Sequence, residues 1–255
     1  MDNIPYTAWA EHLTSTLRSY GIEDGILLDL GCGTGTLTQL MAQRGYDMIG
    51  IDAAPDMLQE AMQKQEGQDA SILYLLQDMR EFELYGTVRA ILSSCDSLNY
   101  ILEEEELLEV FRLANMYLDP GGLLLFDLHT PYYYEQIVGN TTIAENRAQG
   151  SFIWENEYDP DTQLNQYELT LFLPVESEED PKEKPSVTEQ LYCKRTEFHE
   201  QRAYSLERIK ALLEEAGLRF VQAYDSFDQT PVCPVSQRLH IVAQECKKET
   251  TGTDL

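Results

Sequence analysis

Three glycines at alternate positions, directly after an apolar run, constrain this chain more than any other feature. The string Leu27-Leu28-Asp29-Leu30-Gly31-Cys32-Gly33-Thr34-Gly35-Thr36 reads as a buried strand, a sharp turn and a helix start. Leu37, Leu40 and Met41 then recur at the spacing of one helix face. Such a junction leaves the first backbone N–H groups of the helix without intrahelical partners. Glycines there let a ligand approach the main chain with no side chain in the way. Turns of this kind hold nucleotide-like ligands at the carboxyl ends of strands in open α/β sheets.

The spacing separates two ligand classes. Dinucleotide sites read Gly-x-Gly-x-x-Gly, with the helix start facing a pyrophosphate. Here the third glycine comes one residue early, and Asp29 stands two residues before the first. A carboxylate there repels phosphate and suits a ligand that carries an ammonium group. Two more acids follow. Tyr46–Asp52 reads as a second strand ending in an acid, about 20 residues past the glycines, where a carboxylate reaches ribose hydroxyls. Pro55 is suited to the first position of the next helix. Ile72–Gln77 reads as a third strand, followed by Asp78-Met79-Arg80.

The alternation continues. Val88–Ser93 fits a fourth strand, and Leu107, Leu108, Phe111, Leu113 and Leu118 fit an amphipathic helix opened by the acids Glu103–Glu106. Asp119-Pro120-Gly121-Gly122 is a turn before a fifth strand, Leu123–Asp127. This βα rhythm predicts an α/β fold with a doubly wound, mostly parallel seven-stranded sheet. Asp29, Asp52, Asp78, Asp96 and Asp127 all fall near strand ends. After Asp127 the pattern becomes antiparallel, with strands over Phe152–Tyr158, Gln166–Leu173 and Val187–His199 and a charged loop over Glu176–Pro185. A helix ending at Gly217 and strands over Phe220–Tyr224 and Leu239–Ala243 return to the core. The expected organisation is a ligand-binding core over 1–149, an antiparallel β cap over 150–203, a return to the core sheet over 204–246 and a frayed tail over 247–255.

Composition narrows the function. A formal net charge of −27 over 255 residues opposes a phosphate backbone and argues against nucleic acid as partner. No apolar run approaches the ~18 residues of a membrane span. Met1-Asp2-Asn3-Ile4-Pro5 has neither a basic nor an apolar signal region, so no secretory signal is expected. Five irregularly spaced cysteines suit a reducing compartment, and the expected location is the cytoplasm. No Cys/His group has metal-ligand spacing, so no metal is expected.

The residues Leu28-Asp29-Leu30-Gly31-Cys32-Gly33-Thr34-Gly35 resemble the first motif of class I S-adenosylmethionine (SAM)-dependent methyltransferases. Leu118-Asp119-Pro120-Gly121-Gly122 before the fifth strand also resembles that family. The resemblance implies a Rossmann-like methyltransferase fold with SAM as cofactor. It implies a cofactor shell of Asp29, Gly31, Cys32, Gly33, Gly35, Asp52, Ala53, Met57, Asp78, Met79 and Ser94, with Asp78 accepting from the adenine amino group. A β-rich insertion after the fifth strand resembles small-molecule methyltransferases, including enzymes that methylate amines on nucleotide-linked sugars. Relatives often carry an extra N-terminal helix whose aromatic residues close over SAM. This chain starts at about the end of that helix, so the expected lid is missing or supplied by another segment.

Methyl transfer from a sulfonium needs the nucleophile positioned in line and, for some acceptors, a base. Asp96 is a candidate to orient or deprotonate the acceptor, and equally a turn or cap acid. The fourth-strand segment Ser94–Tyr100 lacks the Asn/Asp-Pro-Pro-Tyr string of enzymes that methylate exocyclic amines of nucleic acids. His199 is the second catalytic candidate. Tyr132, Tyr133, His129 and Arg202 are candidates for the acceptor site, the tyrosines as walls or cation–π partners and Arg202 as an anchor for an anion. Core packing and surface exposure are the competing readings for each. The expected function is SAM-dependent methyl transfer to N or O of a small-molecule acceptor. The alternatives are an RNA-modifying methyltransferase, a SAM-binding module without turnover and, more distantly, a dinucleotide dehydrogenase.

Overall fold

The computed structural model describes residues 5–66, 72–147, 149–175, 191–225, 227 and 229–248. Its larger layer is a seven-stranded sheet. In chain order the core runs α1 (Tyr6–Ser19), β1 (Ile26–Leu30), α2 (Thr36–Ala42), β2 (Asp47–Asp52), α3 (Pro55–Gln65), β3 (Leu73–Leu76), β4 (Val88–Ser93), α4 (Glu104–Tyr117) and β5 (Leu118–His129). A smaller sheet follows: β6 (Thr141–Arg147), β7 (Gly150–Asp159), β8 (Leu164–Pro174) and β9 (Tyr192–Arg202). The chain then returns through α5 (Leu206–Glu215), β10 (Leu218–Tyr224) and β11 (Arg238–Glu245).

The strand order of the large sheet is β10-β11-β5-β4-β1-β2-β3. β1 to β5 pair in parallel, while β11 runs antiparallel to both β5 and β10. Side-chain alternation shows why helices cover both faces. Leu27, Ala90, Leu92, Leu125 and Val242 join Trp9, Leu13 and Leu17 of α1 in one core cluster. Leu28, Leu30, Ile91, Leu124 and Ile241 join Phe111 of α4 and Leu212 of α5 in the other. Strands buried on both faces read as near-continuous apolar runs, and β1, broken only by Asp29, β4, broken by Arg89, and the Leu123–Phe126 stretch of β5 have that composition.

Several boundaries differ from the expectation. The small sheet starts earlier, because β6 pairs with β7 from Thr141↔Asn156 to Arg147↔Gly150. All seven residues of β6 are exposed, so no alternation marks it in the sequence. The Asp119–Gly122 turn lies within β5, next to an irregularity in its pairing with β4 between Val88 and Ala90. β9 extends three residues past His199. The Glu176–Pro185 loop lies outside the described residues, as do residues 249–255 of the tail. Lys247 and Lys248 are anchored: their N–H groups donate to Glu245 at 2.6 and 2.8 Å. The Lys248 ammonium donates to the carbonyls of Asn115 and Met116 at the end of α4.

Candidate active site

The glycine turn is held from below and open above. Gly31, Gly33 and Gly35 all have positive φ, at 79°, 54° and 69°. The N–H groups of Gly31 and Cys32 donate to Ile51 O at the end of β2, at 2.8 and 2.9 Å. A Cβ on Gly31 would lie 2.9 Å from Ser97 Cβ, and one on Gly35 would lie 2.9 Å from Ala61 Cβ. Those two glycines are needed for packing. A Cβ on Gly33 would meet nothing within 4 Å. The turn therefore faces open space at its middle glycine, and a ligand there can lie against bare backbone.

The acids around the turn have distinct roles. Asp52, at the end of β2, accepts from Gly33 N at 2.7 Å and from Ala54 N at 2.8 Å. Each of its oxygens keeps a lone pair for a further donor. Asp29 is 2% exposed and lies beneath the turn. Its carboxylate accepts from the Thr38 hydroxyl of α2 at 2.6 Å, and burial raises its pKa to about 6. Asp78 is gripped by Arg80, through Nε at 3.0 Å and Nη2 at 2.6 Å, and Arg80 also reaches Glu106 at 3.0 Å. The Arg80 hydrogen bonds hold the Asp78 carboxyl below its usual range.

Of the other predicted shell residues, Met79 lies against the turn. The Met79 methyl lies 3.1 Å from where a Gly31 Cβ would stand. Ala53 and Met57 are exposed at the entry to α3, and Ser94 is buried at the end of β4. Burial pushes the Cys32 thiol up, which leaves it a small neutral residue and not a nucleophile. Tyr6 of α1 bonds through its hydroxyl to Cys95, and burial with the nearby Cys95 and Asp29 raises its pKa to about 12. Sequence reasoning did not single out Tyr6.

A second cluster is built where β4, β5 and β11 end. Cys95 and Asp96 both adopt left-handed backbone, φ 62° and 54°. That turn aims their N–H groups at the Asp127 carboxylate, at 2.8 and 3.1 Å. Arg238, opening β11, bonds Asp127 through Nη1 and reaches Asp96 at 3.0 Å and His129 Nε2 at 2.7 Å through Nη2. Two carboxylates and one guanidinium leave one negative charge there. Burial raises the Asp127 pKa to about 6, against the pull of Arg238. Burial and Arg238 lower that of His129 to about 4, so the ring is neutral at pH 7. Its lone pair is occupied by Arg238, and its face stacks on Tyr133 at 3.6 Å.

The small sheet closes over this cluster. Gln201 of β9 donates to Asp96 at 3.0 Å and accepts from Tyr134 OH at 3.1 Å. His199 turns to the same side, as strand alternation requires. It lies 3.3 Å from Tyr100 OH and stacks on Tyr167 at 4.6 Å. Between the two sheets lies a cavity of about 100 Å³, whose wall includes Asp96, His129, Tyr133, Tyr134, Tyr167 and Gln201. His199 stands behind Tyr167, outside that wall.

Arg202 departs from its expected position as a ligand anchor. Its guanidinium donates to Leu102 O at 2.7 Å and lies over the Tyr204 ring, away from the cavity. Alternation explains this, since Gln201 takes the inward position and Arg202 the opposite one. Tyr132 is half-buried at the start of the turn that carries Tyr133 and Tyr134, and is not in the cavity wall. Arg238 and Gln201 were missed as site residues. The signal for Arg238 was a lone charge opening the apolar run Leu239–Ala243. For Gln201 it was its place on the same strand side as His199. Among the described residues, no group of His, Cys, Asp and Glu could hold a metal ion.

Comparison with known proteins agrees with this architecture. Residues 27–122 match the family model described as a methyltransferase domain. A Geobacillus sp. (strain WCH70) protein named as a methyltransferase is 31% identical over 246 residues, spanning 96% of this chain and 95% of the relative. The crystal structure of an S-adenosylmethionine-dependent methyltransferase from Clostridium acetobutylicum superposes with a TM-score of 0.85 at 23% identity, over 96% of this chain and 94% of that one. CalS10, an amino pentose methyltransferase from Micromonospora echinaspora solved with SAM bound, gives 0.71 at 17% identity, over 96% and 93% of the chains. With the Geobacillus relative matched along nearly its whole length and the methyltransferase-domain model matched across the glycine turn, this chain belongs to the SAM-dependent methyltransferases.

Proposed function

We propose that this methyltransferase acts on a small-molecule amine, with transfer to an oxygen as the second reading. The observation that carries the proposal is the cavity of about 100 Å³ between the glycine-turn side of the large sheet and the small sheet. A space of that size holds a reacting group of a few non-hydrogen atoms and excludes a polymer segment. The single negative charge left by Asp96, Asp127 and Arg238 favours nitrogen, because N-methylation creates a cation. The aromatic walls of Tyr133 and Tyr167 favour the same charge. CalS10 is by name an amino pentose methyltransferase, which is consistent with this choice. The cytoplasm is the proposed location.

SAM, when bound, supplies a methyl group on a sulfonium sulfur that leaves as a neutral thioether. In the proposed assignment Asp52 accepts from the ribose hydroxyls. Asp78 uses the acceptor direction that Arg80 leaves free for the adenine amino group. Gly33 presents backbone to the cofactor, and Asp29 supplies negative charge from beneath the turn. Asp96, fixed on both oxygens by Arg238 and Gln201, orients the acceptor and takes the proton released once nitrogen is methylated. His199, with Tyr100 and Glu197, offers a route for that proton to solvent.

Two measurements test this reading. Calorimetry should detect SAM binding, and Asp52→Ala should weaken it by about 1.5–3 kcal/mol for each charge-assisted bond lost. Incubation with SAM and a panel of small amines and alcohols should release the demethylated cofactor with amines before alcohols. Turnover confined to alcohols would favour the second reading, and turnover on polymeric acceptors alone would overturn the proposal.

A further inference from the structure

Within the small sheet, β7 and β8 direct Trp154, Asn156 and Tyr158 and, from the facing strand, Asn165 and Tyr167 toward the cavity side. Most polar atoms of this face are partnered. Asn156 and Asn165 bond each other reciprocally, at 2.8 and 3.0 Å, and Asn156 also donates to Gly139 O at 2.8 Å. Tyr134, Gln201 and Asp96 form a continuous donor chain. Tyr167 is bonded to Tyr100 at 2.9 Å. Trp154 lines the same cavity, packed edge-on against Tyr167 at 5.4 Å, and its indole Nε1 is buried with no partner among the described residues.

A buried N–H without an acceptor costs free energy that a folded protein ordinarily avoids. Indole is a donor only, so its partner must bring a lone pair. We propose that Trp154 Nε1–H is a specificity-determining donor for an oxygen of the methyl acceptor, which is therefore a small amine bearing a hydroxyl, ether or carbonyl oxygen close to the nitrogen. This inference rests on the amine reading above. Asp96 serves the nitrogen end and Trp154 the oxygen end of one small cavity. An acceptor lacking the oxygen leaves the indole unpaired, which is how a polar site rejects an analogue of similar shape.

The chain has two tryptophans, Trp9 and Trp154, so an ¹⁵N-labelled sample shows two indole N–H signals, and Trp154→Phe identifies which is which. With SAM present, ethanolamine and ethylene glycol should shift the Trp154 signal, while ethylamine leaves it in place. Trp154→Phe should weaken ethanolamine about tenfold relative to ethylamine, the scale of one lost hydrogen bond. The Trp9 signal reports whether that variant folds. If it does not, the wild-type response alone decides. A Trp154 signal unmoved by either oxygen probe, or a folded variant that binds ethanolamine as well as the parent, overturns the inference. A Trp154 response to both oxygen probes, with no amine ever methylated, overturns the amine reading and leaves the indole's role intact.

Discussion

At the scale of single residues, Asp29 shows a conflict between stability and ligand binding. The carboxylate lies in the dry space beneath the glycine turn with one hydroxyl donor, and burial raises its pKa from 3.8 to about 6. A raised carboxylate pKa means the folded state holds its proton more tightly than the unfolded chain. This group therefore favours folding most below pH ~4, and its contribution falls as pH rises through about 6. Above that, the buried charge costs up to about 3 kcal/mol. Asp29→Asn keeps an oxygen for Thr38 and removes the charge. Melting curves should show the variant more stable than the parent at pH 7.5, with the advantage gone near pH 4. Its SAM affinity should fall, because the charge beneath the turn is lost. A stability gain that does not depend on pH would show that Asp29 carries no ionisation penalty. The sequence placed Asp29 and Asp52 correctly on strand ends. It could not show that Asp29 is covered by Thr38, because that depends on how α2 packs onto β1.

At the scale of elements, legibility followed the period of each segment. β1 and β4 were readable to the residue because each is mostly apolar, interrupted by a single charged residue (Asp29, Arg89), and leads into a polar turn. β6 was invisible, since a strand exposed at every position has no alternation to read. α1 was missed as a covering element, although its spacing of Trp9, Leu13 and Leu17 is that of a buried helix face. The helix packs Trp9 over the Arg238 guanidinium at 5.5 Å and brings Tyr6 to Cys95. It thereby joins α1 to the Cys95 turn through Tyr6 and to the Arg238 cluster through Trp9. Tyr6→Phe keeps the ring and should leave SAM affinity within about threefold, since the hydroxyl's partner is a weak thiol acceptor. Tyr6→Ala removes an aromatic cover and should weaken SAM by about tenfold or more, at roughly 1.5–3 kcal/mol for a buried aromatic side chain. Equal affinities for Tyr6→Ala and the parent, measured by calorimetry, would remove α1 from the cofactor site.

At the scale of the whole molecule, the placement of the cations, like the net charge of −27, opposes a polyanionic partner. Arg80 is engaged by Asp78 and Glu106, Arg112 by Glu109 and Glu215, Arg208 by Glu104, and Arg238 by Asp127 and Asp96. Lys64 pairs with Glu60 and Arg147 with Glu145. Each of these cations faces an acid of the same chain, so binding a phosphate backbone would first require breaking such pairs. Some of these pairs are local, such as Glu60–Lys64 and Asp78–Arg80, but others, such as Glu104–Arg208 and Asp127–Arg238, join residues far apart along the chain and could not be read from it. Self-repulsion among the surface acids should also make stability rise with salt, as the Debye length shrinks from about 30 Å at 0.01 M to about 8 Å at 0.15 M. Fluorescence anisotropy with a labelled single-stranded RNA at low salt should show no binding, the condition most favourable to a polyanion. Labelled SAM should leave no methyl group on total RNA while small amines accept it. RNA binding that weakens steeply with salt would mean that cations outside these pairs, such as Lys194, Arg195 and Arg219, suffice to hold a polyanion, and would move the acceptor from a metabolite to a polymer.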